Sequence, residues 1–252
     1  MIYIRSFISN ICFFSIMGLG CTITLFVGPV SRKGTIYLWD KIVMPSVFFC
    51  VEKIAGLKME YRGLENITKE PALYACKHES ALETYAFTQP VPTCTYVLKK
   101  ELVYMPFFGW TQYFYGMVPV DRKGGAKAMK CMLKNVAKIV SENRPVVVFP
   151  EGTRCKPGTT KGYKSGFLFL AENLKLKVVP VAVNTGLFWA KNSFLRHRGT
   201  AVIEFLPAME VKPHEDKKVF MERLEKVIEA KCQELNNEAV QKYPWVKKNL
   251  GA

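Results

Sequence analysis

The sequence predicts an α/β fold: a central, mostly parallel sheet flanked by helices, preceded by an N-terminal membrane-associated helical segment. Two observations carry this. From Gly56 onward, short apolar runs alternate with helical patterns, the order that builds parallel sheets. Ahead of that alternation, residues 6–31 carry no charge. A chain of 252 residues that is 49% hydrophobic can bury a core and has no compositional sign of disorder. The expected division is an anchoring unit at 1–55 and an α/β unit at 56–252.

The uncharged run is flanked by Arg5 and by Arg32-Lys33. As a helix it reaches roughly 39 Å at 1.5 Å per residue, enough for a bilayer core. It is long for a cleaved leader, and no small-x-small site follows it cleanly. Ser9, Asn10, Ser15, Gly18, Gly20, Thr22 and Thr24 make it a mediocre span. A second patch, 36–54, is interrupted by Asp40, Lys41, Pro45 and Glu52-Lys53. Its apolar run, 42–51, is too short to span and reads as an interfacial or re-entrant helix, with a buried core helix as the alternative. Strands are expected at 58–62, 72–76, 93–98, 116–120, 146–149, 178–183 and 201–205. Helices are expected at 80–87, 102–109 (broken by Pro106), 126–141 and 163–173. The last helix, 214–240, is amphipathic through Phe220, Leu224, Val227, Ile228 and Leu235.

Three charged motifs follow strand candidates directly. Lys77-His78 follows 72–76, Asp121-Arg122-Lys123 follows 116–120, and Glu151-Gly152-Thr153-Arg154 follows 146–149. In open α/β sheets ligands bind beyond the carboxyl ends of the strands. Singly, His78 reads as a surface histidine beside a helix-start acid, 121–123 as a solvated turn and 151–154 as a local ion pair across a tight turn. Three such placements together nonetheless point to a site. His78 and Glu83 stand five apart and so share no helix face. They meet only if His78 lies in the turn before the helix. There the carboxylate would accept from one imidazole nitrogen and leave the other free as a base. Gly152 permits close backbone approach to a ligand, and Arg154 offers a two-pronged guanidinium for phosphate.

The balance of 36 basic against 21 acidic residues gives +15, which calls for an anionic partner. An acidic lipid surface or a phosphorylated substrate fits. No nucleic-acid or metal partner is expected, because the sequence has no basic-aromatic RNA signature, no helix-turn-helix signal and no Cys/His ligand spacing. The eight cysteines are scattered, with Cys12, Cys21 and Cys50 in apolar stretches and Cys76 and Cys94 in strand-like ones, as small buried hydrophobes in a reducing compartment would be.

Together these blocks resemble the glycerolipid acyltransferases of the 1-acyl-glycerol-3-phosphate acyltransferase type. His78-Glu-Ser-Ala-Leu-Glu83 is similar to that family's H-x4-D block, with Glu83 where most members have Asp. Gly116-Met-Val-Pro-Val-Asp121-Arg122 resembles the second block, Phe149-Pro-Glu151-Gly152-Thr153-Arg154 the third and Val179-Pro180-Val181 the fourth. Tyr61-Arg-Gly-Leu-Glu-Asn66 and Tyr163-Lys164-Ser165-Gly166 match in kind and order, so the likeness covers about 56–205. The resemblance implies acyl transfer from acyl-ACP or acyl-CoA to the sn-2 hydroxyl of lysophosphatidic acid, for phospholipid biosynthesis. His78 would be the general base and Glu83 its orienting carboxylate. Arg122, Arg154 and Lys164 would hold the phosphate, in a loop completed by Glu151, Gly152 and Thr153. It further implies no metal and no cofactor, the acyl carrier being a cosubstrate. It places the protein on a bacterial inner membrane, catalytic side cytoplasmic, with Phe107, Phe108 and Trp110 facing the lipid. Other acceptors (glycerol-3-phosphate, another lysophospholipid, an amino-lipid) are alternatives, as is a non-enzymatic membrane scaffold.

Overall fold

The runs richest in Val, Leu and Ala become the strands of one seven-stranded sheet in the computed structural model, which describes residues 1–211 and 215–251. In chain order the strands are β1 (Leu57–Arg62), β2 (Leu73–Cys76), β3 (Thr95–Lys99), β4 (Val118–Val120), β5 (Val146–Val148), β6 (Val178–Val183) and β7 (Gly199–Phe205). They lie in the order β1-β7-β6-β2-β5-β3-β4, and every pairing is parallel except β6 with β7. Strand β2 sits near the middle, with Tyr74 opposite Val147 on one side and Val179 on the other. All four of its residues are buried, as expected of a strand covered on both faces.

Side chains alternate across the sheet. Leu73, Ala75, Val146, Val148 and Val178 pack with α6 (Gly125–Ser141), α7 (Leu168–Leu174) and α9 (Lys217–Lys242) on one face. Tyr74, Val147, Val179 and Val181 face the other way, toward Ala86 of α4 (Leu82–Ala86) and Phe87. On that second side lie the N-terminal helices. Helix α1 covers Ile2–Val27, and α2 (Arg32–Tyr37) and α3 (Met44–Cys50), joined by one π-helical stretch and extended by a second, form one helix, Arg32–Ala55. The remaining helices are α5 (Phe108–Tyr115) and α8 (Thr185–Phe188).

Ser9, Asn10, Gly20 and Thr24, four of the residues that spoil α1 as a span, lie on its protein side, whereas Ser15, Gly18 and Thr22 are exposed. Ser6, Ser9, Asn10, Phe13, Met17, Gly20, Cys21 and Thr24 form its buried stripe. Ser6 Oγ accepts from the Arg196 amide at 2.9 Å, Asn10 donates to the Phe194 carbonyl at 3.0 Å, and Thr24 Oγ1 accepts from Trp39 at 2.8 Å. A Cβ on Gly20 would come within 2.8 Å of Val43, so the two helices approach closely there. The opposite side of α1, with Tyr3, Ile4, Phe7, Ile8, Ile11 and Phe14, is exposed and largely apolar, interrupted by Arg5, Ser15 and Thr22.

Two expectations are corrected, and a third lies partly outside the described residues. The second hydrophobic patch is a 24-residue helix, longer than its apolar run implied, and Leu38, Trp39, Met44, Val47 and Val51 bury one face of it in the core. The helix expected at 102–109 is instead a 3₁₀ turn, Lys100–Tyr104, followed by α5. Pro106 has no amide to continue a helix, Phe107 takes a positive φ of 61°, and Gly116 at φ 89° then closes α5 and shortens β4. The expected start at residue 214 lies outside the described residues, and α9 begins at Lys217.

Candidate active site

The carboxyl ends of β2, β4, β5 and β6 converge on His78. The chain leaves β2 through Lys77, and α4 does not begin until Leu82, so His78 lies in the turn ahead of the helix. Its Nδ1 is 2.8 Å from Glu83 Oε1. Glu83 is fully buried and takes donations from the Glu79 amide at 2.9 Å, the Ser80 amide at 2.8 Å and Thr185 Oγ1 at 2.6 Å. These donors hold it as an acceptor, so Nδ1 carries the proton and Nε2 presents its lone pair. The ring stacks on Phe149, with centroids 3.9 Å apart. The longer stem of Glu in place of Asp is thus accommodated, with both oxygens occupied.

Glu151 is the clearest departure from expectation. Its side chain is fully buried, Oε1 2.8 Å from Lys77 Nζ and Oε2 accepting from the His78 amide at 3.0 Å. With both oxygens committed inside the protein it cannot meet a phosphate; it fixes the His78 backbone instead. Lys77 also has no exposed side-chain surface. It donates to the Thr159 carbonyl and to Glu229 on α9, each at 2.7 Å, and Tyr163 completes the cluster by donating to Glu229 at 2.9 Å. Burial acts to lower the Lys77 pKa, but the Glu151 and Glu229 carboxylates outweigh it and the ammonium is retained. Glu79 is buried as well, its Oε2 accepting from the Gly186 amide at 3.1 Å. Burial first, and the Glu83 charge second, push it well above the usual carboxylate range, which favours its neutral form.

Of the remaining predicted cations, Arg122 and Arg154 share a cavity with His78, while Lys164 does not line it and lies beside Gly152. Gly152 has φ 67° and its carbonyl accepts from Arg122. A Cβ there would lie 3.5 Å from Lys164 Nζ and 3.8 Å from Arg122 Nη1, so both cations flank this bare backbone turn. Arg122, Gly152 and Arg154 line one end of a cavity of about 520 Å³ together with His78. Among the described residues none of Arg122, Arg154 and Lys164 is ion-paired. Thr153 is half-buried and does not line the cavity. The cavity continues into an apolar channel bounded by Met17, Trp39 and Met44 from the N-terminal helices and by Val97, Leu102 and Phe108 from the sheet side. Phe108 therefore points into the channel, while Phe107 and Trp110 are half exposed. Thr185 went unmarked in the sequence, although it follows the end of β6 as the charged motifs follow theirs.

Residues 58–184 match the sequence profile of the acyltransferase family. The chain belongs to that family. A 1-acyl-sn-glycerol-3-phosphate acyltransferase of Pseudomonas aeruginosa is 35% identical over 193 residues, 75% of this acyltransferase and 74% of the relative. One from Saccharomyces cerevisiae is 32% identical, the match covering 63% of this acyltransferase and 54% of the yeast protein. The crystal structure of the 1-acyl-sn-glycerophosphate acyltransferase from Thermotoga maritima superposes with a TM-score of 0.75 at 19% identity, covering 93% of this acyltransferase and 99% of that chain, which establishes the shared fold. The dyad, the Gly152 turn and Thr185 lie at or within one residue of the matched segment, whereas Glu229 lies well beyond it.

Proposed function

We propose that this acyltransferase moves a fatty acyl group from an acyl thioester to the sn-2 hydroxyl of lysophosphatidic acid, giving phosphatidic acid. The observation that carries the reading is the His78–Glu83 pair, 2.8 Å apart, at the junction of an apolar channel with an unpaired basic rim. His78 Nε2 takes the hydroxyl proton as the oxygen attacks the thioester carbonyl. Glu83 holds the ring and balances the imidazolium that forms. When the tetrahedral intermediate collapses, the C–S bond breaks and the proton passes to the leaving thiolate. Arg122, Arg154 and Lys164 hold the acceptor's phosphate, and the channel takes apolar chain. No resident metal or cofactor enters these steps; the thioester carrier is a cosubstrate. The apolar outer side of α1, with Phe107 and Trp110, sets the crevice at a membrane surface where acceptor and product reside.

An acceptor panel tests this, with thiol release measured for the wild type and His78→Ala. Lysophosphatidic acid should be the preferred acceptor, and His78→Ala should lose on the order of 10²–10⁴ in rate while staying folded. Undiminished turnover in a folded His78→Ala protein refutes the mechanism. Preference for a phosphate-free acceptor refutes the substrate.

A further inference from the structure

Helix α6 carries a row of lysines that the chemistry above does not use. Lys127, Lys130, Lys134 and Lys138 are exposed and fall within about a quarter of the helix circumference at 3.6 residues per turn. They extend over roughly 16 Å of its length. Lys123, also exposed, continues the row into the loop that holds Arg122 at the crevice. Residues 122–141 contain no Asp or Glu, and among the described residues none of these five lysines has an ion-pair partner. The arrangement works against the helix. Lys130, Lys134 and Lys138 repel at i, i+4 spacing, and no acid occupies the first turn to complement the helix dipole.

The placement selects the partner. The other side of α6 buries Met132, Val136 and Ile139 against the sheet face shared with α7 and α9. The N-terminal helices, with their exposed apolar side, pack on the opposite face of the sheet. A bilayer receiving that apolar side therefore does not also lie flat along the lysine row. A nucleotide would seek a concave site, whereas this row crowns a convex helix. What fits is the acidic surface of a folded protein, reached at one end of the row by the crevice.

We propose that the lysine face of α6 docks an acidic acyl carrier protein, which delivers the thioester to His78. This rests on the acyl-transfer reading above and names the donor for it. The carrier meets the row by charge complementarity, which steers encounter and is weakened by salt, while its tethered thioester enters beside Arg122.

The test is steady-state kinetics of the full chain in detergent micelles with lysophosphatidic acid. Thioesters of one chain length, on acyl carrier protein and on coenzyme A, are compared for the wild type and the double variant Lys130→Glu/Lys134→Glu. Reversing two charges should raise KM for the carrier-protein thioester roughly tenfold or more. Turnover and KM for the coenzyme A thioester should stay as they are, which also certifies the fold. Added salt should raise the wild-type KM for the carrier and barely change the variant's. Equal effects on both donors, or no effect on either, overturn the proposal. So does a wild type that uses only the coenzyme A thioester, or a variant that loses vesicle binding with its carrier KM unchanged. A wild type that acylates lysophosphatidic acid from neither thioester overturns the acyl-transfer reading itself.

Discussion

Two buried glutamates four residues apart, Glu79 and Glu83, have opposite tasks, and their donors decide which is which. Glu83 takes two amides, a threonine hydroxyl and the imidazole, whereas Glu79 has one amide on Oε2 and an orphaned Oε1. A carboxyl whose neutral form the fold favours keeps a proton that the unfolded chain releases above about 4.5. Its contribution to stability is full below that value and is lost as pH rises toward the raised folded value. Glu79→Gln, which is neutral at every pH, should therefore raise the thermal midpoint at pH 7–8 and flatten its decline with pH. A midpoint lowered equally at pH 4 and pH 8 would show that the amide simply does not fit. At Glu83, Asp should keep substantial activity and Gln should lose most of it, because an amide cannot balance an imidazolium; equal kcat in Gln and wild type would remove Glu83 from the dyad. For Arg154, lysine keeps the charge but loses the paired hydrogen bonds. Arg154→Lys should raise KM for lysophosphatidic acid about ten- to a hundredfold, the scale of one charge-assisted hydrogen bond, and far less for the thioester. If phosphate-free acceptors suffer as much, Arg154 shapes the loop and Arg122 is the next anion ligand.

At the scale of elements, the active site is held by a helix from the far end of the chain. Glu229 on α9 reaches Lys77 across 152 residues, so β2, the Glu151 turn, the Thr159 loop and α9 are joined through one ammonium. Removing the cation leaves the buried Glu151 carboxylate without its counter-charge, worth about 3–5 kcal/mol. Lys77→Met should cost that much in unfolding measurements, and adding Glu151→Gln to it should restore part of the loss. A double variant less stable than Lys77→Met alone would contradict the ion-pair account. This contact could not be read from the sequence: Glu229 is one acid among many on an amphipathic helix, and nothing local marks its partner. The strands were legible because β2, β5 and β6 are short apolar runs, and the strand-end motifs were legible because charge follows those runs directly. Helix α5 was not. Its start is set by Pro106 and the positive φ at Phe107, which the apolar periodicity of 102–115 conceals. The antiparallel β7 was invisible too, since orientation depends on the path of residues 184–198 and leaves no mark in the strand itself.

For the whole molecule, α1 has two jobs that can be separated. Its inner stripe lends Met17 to the channel and packs Phe13 on Tyr85 and Trp189, with ring centroids 5.5 and 5.3 Å away. Its outer side is largely apolar and exposed, with Phe14 resting edge-on against Phe13. Deleting residues before Gly34 should thus damage the channel as well as the anchor, and release from membranes should be only partial, because Tyr37, Ile42 and Phe49 on the second helix are exposed too. Substitutions confined to the outer side should act on the anchor alone. Phe7→Ser with Phe14→Ser removes two exposed rings, each worth roughly 1.5–3 kcal/mol when fully buried in an apolar phase. The pair should therefore lower partitioning onto anionic vesicles by an order of magnitude or more, while turnover on lysophosphatidic acid in detergent micelles stays near wild type. The two measurements must diverge for the separation to hold. If the pair lowers micellar turnover as much as vesicle binding, the outer side supports the fold. If vesicle binding is unchanged, the lipid contact belongs to the second helix and the Phe107–Trp110 rim.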